Sequence, residues 1–230
     1  MKKINLFALV ASLSLLLTSC SSEESMLPVN ESTDLLKTYK VSKDADGNYS
    51  LDFDLNDNGT VDKVVDKSTK TSNFYLYSSD NQVSKIHTED LVIDGEQLDV
   101  NFIETEANNN SSFTIIDDNI SFAKDEETVY LKKYSIEKST DNTYFLDFTV
   151  NNNTTVDFTY NEEIETYEIH LKEGESDDKK FSKLLEKEEG KALKVDFISY
   201  TYTNIESKEY LTSVYKESFE SERKPRLIFQ

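Results

Sequence analysis

The chain has 230 residues, of which 37% are hydrophobic, including 13 Phe and 13 Tyr. This is enough apolar surface for a buried core, and it excludes an intrinsically disordered chain. With 25 basic and 45 acidic residues the net charge is -20, so phosphate backbones repel the chain and nucleic acid is not an expected partner. A single Cys excludes both an internal disulfide framework and a multi-cysteine metal site.

The first 20 residues have the pattern of an export signal. Two lysines precede an apolar run over 4–17, which is shorter than the roughly 20 residues needed to span a bilayer. The run ends in Leu17-Thr18-Ser19-Cys20, a segment that resembles the lipobox of bacterial lipoproteins. The resemblance implies that 1–19 are a signal peptide and that Cys20 carries the lipid, whose several acyl chains anchor the protein in a membrane. An ordinary signal peptide with a chance cysteine is the alternative.

A short acidic cluster follows the cysteine directly: Ser21, Ser22, Glu23 and Glu24. It is similar to the export signal of Bacteroidota-type surface lipoproteins. This resemblance implies a location in the outer membrane with the protein facing the cell exterior, and the periplasmic face is the alternative. Residues 20–36 are poor in apolar side chains and contain Pro28, which predicts a lipidated, flexible stalk.

The rest of the chain is a duplication. Residues 39–62 match residues 134–157 at 12 of 24 positions without a gap, whereas composition alone gives about two. The same offset of 95 continues to Gly95 and Gly190. We therefore expect two repeat units, 37–132 and 133–230, built as tandem domains with a close junction. One larger sheet system shared by both units is the alternative.

The patterns within each unit predict strands. Apolar and polar residues alternate over 49–55, and Asn58-Gly59 predicts a tight hairpin turn. Strands at intervals of about 10 residues indicate a mainly β fold, with two tandem duplicated β-sandwich or barrel-like units. At most one or two short helices are expected, one of them over Lys179–Lys187. The segment Tyr210–Phe219 fits both a helix and a strand, and Arg226–Gln230 is expected to be a last strand.

The turn acids raise the possibility of a calcium site. The candidate ligands are Asp54, Asn56, Asn58 and Asp62. Oxygen ligands at alternate positions followed by Gly59 match the first half of an EF-hand-type loop, but Val65 stands where the last carboxylate belongs. Since Asn, Asp and Gly are also the ordinary turn residues, we expect no cofactor, with Ca²⁺ as the alternative.

No catalytic motif is visible. His87 and His170 do not occupy equivalent positions in the repeat, and the sequence contains neither a His-Glu-x-x-His helix nor a Gly-x-Ser-x-Gly turn. We therefore expect no catalytic residues and no enzyme. A small envelope hydrolase is kept as an alternative because 45 acidic residues always offer carboxylate pairs.

One strand is apolar on both faces. Over 195–202, Val195 and Phe197 lie on one face, while Ile198, Tyr200 and Tyr202 lie on the other. An exposed row of this kind can stack on sugars or bind a protein, which makes Tyr200 and Tyr202 binding candidates. Contact between the two units is the alternative explanation.

Together these observations predict a lipid-anchored envelope lipoprotein with a non-catalytic binding or structural role at the outer membrane surface. Its expected partners are the membrane, through Cys20, and an unidentified protein or glycan. A calcium-stabilised adhesion or structural domain and a small hydrolase are the two alternative functions.

Overall fold

A computed structural model describes residues 35–56, 59–79, 86–105, 110–118, 130–141, 143–174, 179–188, 190–205 and 208–221, with backbone only from 201 to 215. These residues form 14 β-strands. In chain order they are β1 (Leu36–Lys43), β2 (Tyr49–Leu55), β3 (Gly59–Asp66), β4 (Thr71–Ser78), β5 (Ile86–Leu91), β6 (Gln97–Glu104), β7 (Asn110–Asp118), β8 (Leu131–Lys138), β9 (Tyr144–Val150), β10 (Thr154–Asn161), β11 (Thr166–Glu173), β12 (Lys180–Leu185), β13 (Leu193–Ile205) and β14 (Lys208–Ser221).

The prediction of a mainly β fold is confirmed. Within the described ranges there is no helix, and so none that is long and apolar enough to cross a membrane. The helix predicted over Lys179–Lys187 is wrong, because β12 lies there and pairs with β9. An isolated helix of nine residues is marginal, whereas β9 offers this segment a row of backbone partners. The ambiguous segment Tyr210–Phe219 belongs to β14, and the predicted last strand over Arg226–Gln230 lies outside the described residues.

The strands form two sheets. The six-stranded sheet has the order β12-β9-β8-β1-β2-β5, and the eight-stranded sheet has the order β10-β11-β13-β14-β7-β6-β4-β3. Most neighbours are antiparallel, but β4 pairs with β6 and β11 pairs with β13 in parallel. The parallel pairs occur because β5 and β12, which lie between these strands in the chain, belong to the other sheet.

Both repeats contribute strands to both sheets. In the six-stranded sheet the two halves meet where β1 pairs with β8, and in the eight-stranded sheet they meet where β7 pairs with β14. Val41 faces Ile136 in the first of these pairs, and the two residues occupy equivalent positions in the repeat. A local twofold axis therefore passes through this pair. The sequence leaves open either two tandem domains or one sheet system shared by both repeats. The observed strand pairing is that of a shared sheet system.

The two sheets pack face to face around one core. Tyr39 of the six-stranded sheet stacks on Phe102 and Phe113 of the other, with ring centroids 5.6 and 5.3 Å apart. In the second half Tyr134 packs against Phe197 at 5.1 Å. These rings are almost completely buried, as expected for the inner faces of a β-sandwich.

The hairpin predicted at Asn58-Gly59 is wrong. Strand β2 belongs to the six-stranded sheet, whereas β3 pairs with β4 in the eight-stranded sheet. Turn residues indicate that the chain changes direction but do not indicate which strands pair. Gly59 is needed here for a steric reason, because a Cβ atom on it would lie 2.7 Å from the Cβ atom of Leu55.

Candidate functional site

A row of polar residues crosses the outer face of the six-stranded sheet. Four residues of this sheet point into the core and have no exposed surface: Val41, Leu51, Ile136 and Leu146. Because side chains alternate between the two faces of a strand, the residues next to them point outward. Strand register brings six such residues into one line from edge to edge. In order they are Ser182, Asp147, Ser135, Ser42, Ser50 and Asp90. Six strands at about 4.8 Å give the line a length of about 24 Å.

This line is the floor of a groove of about 500 Å³. Four small hydroxyl side chains make the floor low, and larger side chains border it. The bordering residues on the outer face are Lys40, Asp44, Asn48, Lys133, Thr149 and Lys180. Lys43, Tyr49, Tyr134, Phe148 and Phe181 also line the groove, but their side chains lie on the inner face of the sheet. The outer face of the groove therefore combines hydroxyl groups with charges of both signs.

Charged side chains of both signs lie along the groove. At the end formed by the second repeat, Lys133 and Lys180 both face Thr149, and neither ammonium group has an ion-pair partner among the described residues. Asp147 lies in the floor at this same end, Asp44 directly follows the inner strand β1, and Asp90 lies at the end formed by the first repeat. Hydrogen bonds from the Asn48 side chain and backbone lower the pKa of Asp44, which keeps this carboxylate ionised.

A buried polar network lies between the sheets beside the groove. The carboxylate of Glu217 accepts hydrogen bonds from Lys43 Nζ at 2.5 Å and from the Tyr49 hydroxyl at 2.7 Å. Asp117 Oδ2 lies 3.3 Å from the same Nζ atom and 3.1 Å from the same hydroxyl. Glu217 is 1% exposed and Lys43 13%. Lys43 and Tyr49 are the chain neighbours of Ser42 and Ser50, so this network anchors the strands that carry the groove floor.

The Tyr49 hydroxyl acts as a donor in this network. Burial, followed by the negative charge of Glu217, raises the pKa of Tyr49 far above its ordinary value. The hydroxyl therefore keeps its proton and donates it in the hydrogen bond to Glu217. Lys43 Nζ lies 5.1 Å from the centre of the Tyr49 ring, which adds a cation–π contact.

The described calcium candidates serve other contacts. Asp54 lies on β2 with its carboxylate 3.5 Å from Lys37 Nζ, whereas Asp62 is exposed on β3 in the other sheet. The backbone N–H of Asn56 donates to the carbonyl of Leu35, and Asn58 lies outside the described residues. In the described part of the chain no group of three or more His, Cys, Asp or Glu side chains could hold a metal ion. The calcium alternative stays a prediction.

Tyr200 is half-buried on the outer face of the eight-stranded sheet. Its hydroxyl lies 2.9 Å from His170 Nδ1, and His170 Nε2 lies 3.1 Å from Glu168 Oε2. Burial, followed by the charge of Glu168, raises the pKa of Tyr200. These partners belong to the second repeat itself, so contact with the first repeat does not explain the position of Tyr200. The side chain of Tyr202 lies outside the described residues.

Sequence reasoning did not connect His170 with Tyr200. The two residues are 30 positions apart and meet because β11 and β13 pair in parallel. No short motif encodes a parallel pair whose connecting strand, β12, lies in the other sheet. The groove floor was missed for the same reason, since its six residues come from six separate strands.

The predicted lipidation residue Cys20 and the predicted sorting residues Ser21, Ser22, Glu23 and Glu24 lie outside the described residues. Comparison with protein-family models, curated proteins and solved structures gives no match. The geometry of the groove is therefore the basis for a functional proposal.

Proposed function

We propose that the protein is a lipid-anchored envelope lipoprotein that binds an extended, hydroxyl-rich ligand in the groove of the six-stranded sheet, without catalysis. The observation that carries this proposal is the continuous polar floor from Ser182 to Asp90. A floor of about 24 Å suits an extended oligomer rather than a compact metabolite.

An oligosaccharide fits the groove better than a peptide does. The groove runs across the strands, and the backbone groups of its four inner strands are paired with neighbouring strands. An extended peptide that adds to a sheet needs a free edge for its main-chain hydrogen bonds, and the floor offers none between its two ends. A glycan bonds instead through hydroxyl groups, and Ser42, Ser50 and Ser135 can each donate to and accept from them.

The charged groups suit a ligand that carries both acidic and hydroxyl groups. Lys133 and Lys180 attract carboxylate or phosphate groups, whereas Asp44, Asp90 and Asp147 accept hydrogen bonds from hydroxyl or amino groups. A glycan that places an acidic sugar at the two lysines and its hydroxyl groups along the floor therefore uses both kinds of side chain.

In this proposal a stalk between Cys20 and Leu35 connects the lipid to the groove. The backbone N–H groups of Leu35 and Leu36 donate to the buried carboxylate of Glu104, at 2.6 and 3.1 Å. These hydrogen bonds hold the start of β1 in the sandwich, at the end of the proposed stalk. A fully extended stalk of this length reaches about 50 Å from the membrane.

A bulky residue on the groove floor tests the binding proposal. In Ser42→Trp the indole fills the middle of the floor, so we expect at least tenfold weaker binding to the glycans that the wild type binds. The measurement is binding of the full chain, in a detergent without a sugar headgroup, to an array of neutral and acidic oligosaccharides. Thr60→Trp, exposed on β3 of the other sheet, is the matched control and should bind like the wild type. Equal binding by Ser42→Trp contradicts the groove, and binding to extended peptides alone favours a peptide ligand.

Protease treatment of intact cells tests the proposed orientation. We expect the wild-type chain to be digested from outside and a Glu23→Ala, Glu24→Ala variant to be protected, because the acidic cluster is the proposed sorting signal. Immunoblotting of the cells measures the surviving chain, and a periplasmic marker protein controls for lysis. Protection of both chains contradicts a surface location and places the groove in the periplasm.

A further inference from the structure

A second cavity of about 230 Å³ lies at one end of the sandwich, beside the turn between β10 and β11. Its main wall is a pair of tyrosine rings, Tyr160 and Tyr167, with centroids 4.8 Å apart and planes at 53°. Tyr160 is 45% exposed, although exposing an aromatic ring to water is unfavourable. The cavity therefore lies beside two contacting tyrosine rings, the outer of which is open to solvent.

The duplication shows that the fold does not require these rings. Tyr160 faces Tyr167 across β10 and β11, and the equivalent pair in the first repeat is Val65 facing Ser72 across β3 and β4. Both hairpins have the same register, and both turns end in a residue with left-handed backbone, Lys70 at φ 55° and Glu165 at φ 54°. The same local structure thus forms with and without the tyrosines.

The polar rim of the cavity is held in place. The Tyr167 hydroxyl donates to the carbonyl of Glu186 at 3.0 Å, which fixes the inner ring. Lys191 Nζ bridges Glu165 Oε1 and Glu188 Oε2 at 2.6 and 2.7 Å. The other carboxylate oxygen of each of these two residues forms no hydrogen bond within the described part of the chain, so both are available as acceptors.

We propose that this cavity is a binding site for a single pyranose ring. A pyranose presents an apolar face of C–H groups and an edge of hydroxyl groups, and the cavity presents aromatic faces beside fixed carboxylate acceptors. The C–H face stacks on Tyr160, and hydroxyl groups donate to Glu165 and Glu188. Three glutamates (Glu165, Glu186, Glu188) and three lysines (Lys187, Lys191, Lys194) line the cavity, so its charge does not require an acidic sugar. The residues of this site are separate from those of the groove, so the proposal does not depend on ligand binding in the groove.

Substitutions taken from the first repeat provide the test. Tyr160→Val introduces the residue found at the equivalent position of the first repeat, Val65. It removes the outer ring, and the same local structure already forms with valine in the first repeat. Glu165→Lys introduces the equivalent Lys70 and removes one acceptor. Phe145→Ser, which introduces the equivalent Ser50, is the matched control, because Phe145 is similarly exposed at 48% but lies outside the cavity.

The experiment is saturation-transfer NMR of the full chain, in a zwitterionic detergent, with methyl glucoside, galactoside, mannoside and N-acetylglucosaminide at millimolar concentrations. We expect the wild type and Phe145→Ser to transfer saturation to the ring protons of at least one glycoside. Tyr160→Val and Glu165→Lys should bind it at least tenfold more weakly, with unchanged melting temperatures. No transfer from the wild type to any of the four sugars overturns the proposal. The proposal is also overturned if Phe145→Ser abolishes the saturation transfer and Tyr160→Val retains it.

Discussion

Replacing Glu217 by Ala is expected to lower the free energy of unfolding by about 3 kcal/mol. The substitution removes the closer carboxylate partner of Lys43 and the acceptor of the Tyr49 hydroxyl, and it leaves an ammonium group that is only 13% exposed. The contact joins the two sheets and the two repeats, since Lys43 lies on β1 and Glu217 on β14. Urea unfolding of the full chain measures the loss, which corresponds to a decrease in melting temperature of about 6–12 °C.

Two further variants separate the buried charge from simple loss of packing. Asp117→Ala should cost about 1 kcal/mol, because Asp117 is 32% exposed and Lys43 keeps Glu217 as its partner. A Lys43→Met, Glu217→Leu double variant should recover most of the stability lost in Glu217→Ala, since it removes the buried ammonium group that has lost its closer partner. A Glu217→Ala variant as stable as the wild type contradicts this account of the network.

Replacing Cys20 by Ala is expected to abolish lipidation completely. The chain contains no other cysteine, so no second thiol can accept the lipid. We expect the wild type to incorporate a labelled fatty acid and to lose residues 1–19, whereas Cys20→Ala does neither. Gel fluorescence of the labelled chain and its intact mass measure the two events.

A displaced cysteine is the control for the lipobox. In a Cys20→Ala, Ser22→Cys variant the thiol is present but lies two positions further from Leu17-Thr18-Ser19 than Cys20 does. We expect this chain to remain unlabelled, because the resemblance concerns the position of the cysteine as well as its identity. Label on either variant contradicts the assignment of Cys20 as the lipidated residue.

The duplication illustrates what a single sequence can reveal about architecture. The match between 39–62 and 134–157 predicts two similar units because equal residues at equal spacing form equal local structure. Strand periodicity within each unit was likewise readable, since β2 and β9 alternate buried and outward-facing residues as their sequences do. Strand β12 shows the limit, because its apolar spacing is helical and only its pairing with β9 makes it a strand.

The candidate sites were far less accessible to sequence reasoning. The groove floor takes one residue from each of six strands, and the cavity at Tyr160 combines a hairpin with a loop near residue 190. Neither arrangement leaves a motif, because its members come from separate strands or loops that only the strand pairing brings together. The binding candidate Tyr200 was identified from its strand, but its partner His170 came only from the parallel pairing of β11 with β13.

The sequence by itself determined the β character of the chain, its duplication and the lipobox-like start, because each of these depends on residues that are neighbours or lie at a constant offset. The tertiary structure alone decided that the two repeats share both sheets, that β2 and β3 belong to different sheets and that polar side chains line up as a groove. Strand pairing underlies all three, since it is settled by packing between distant segments around a common core.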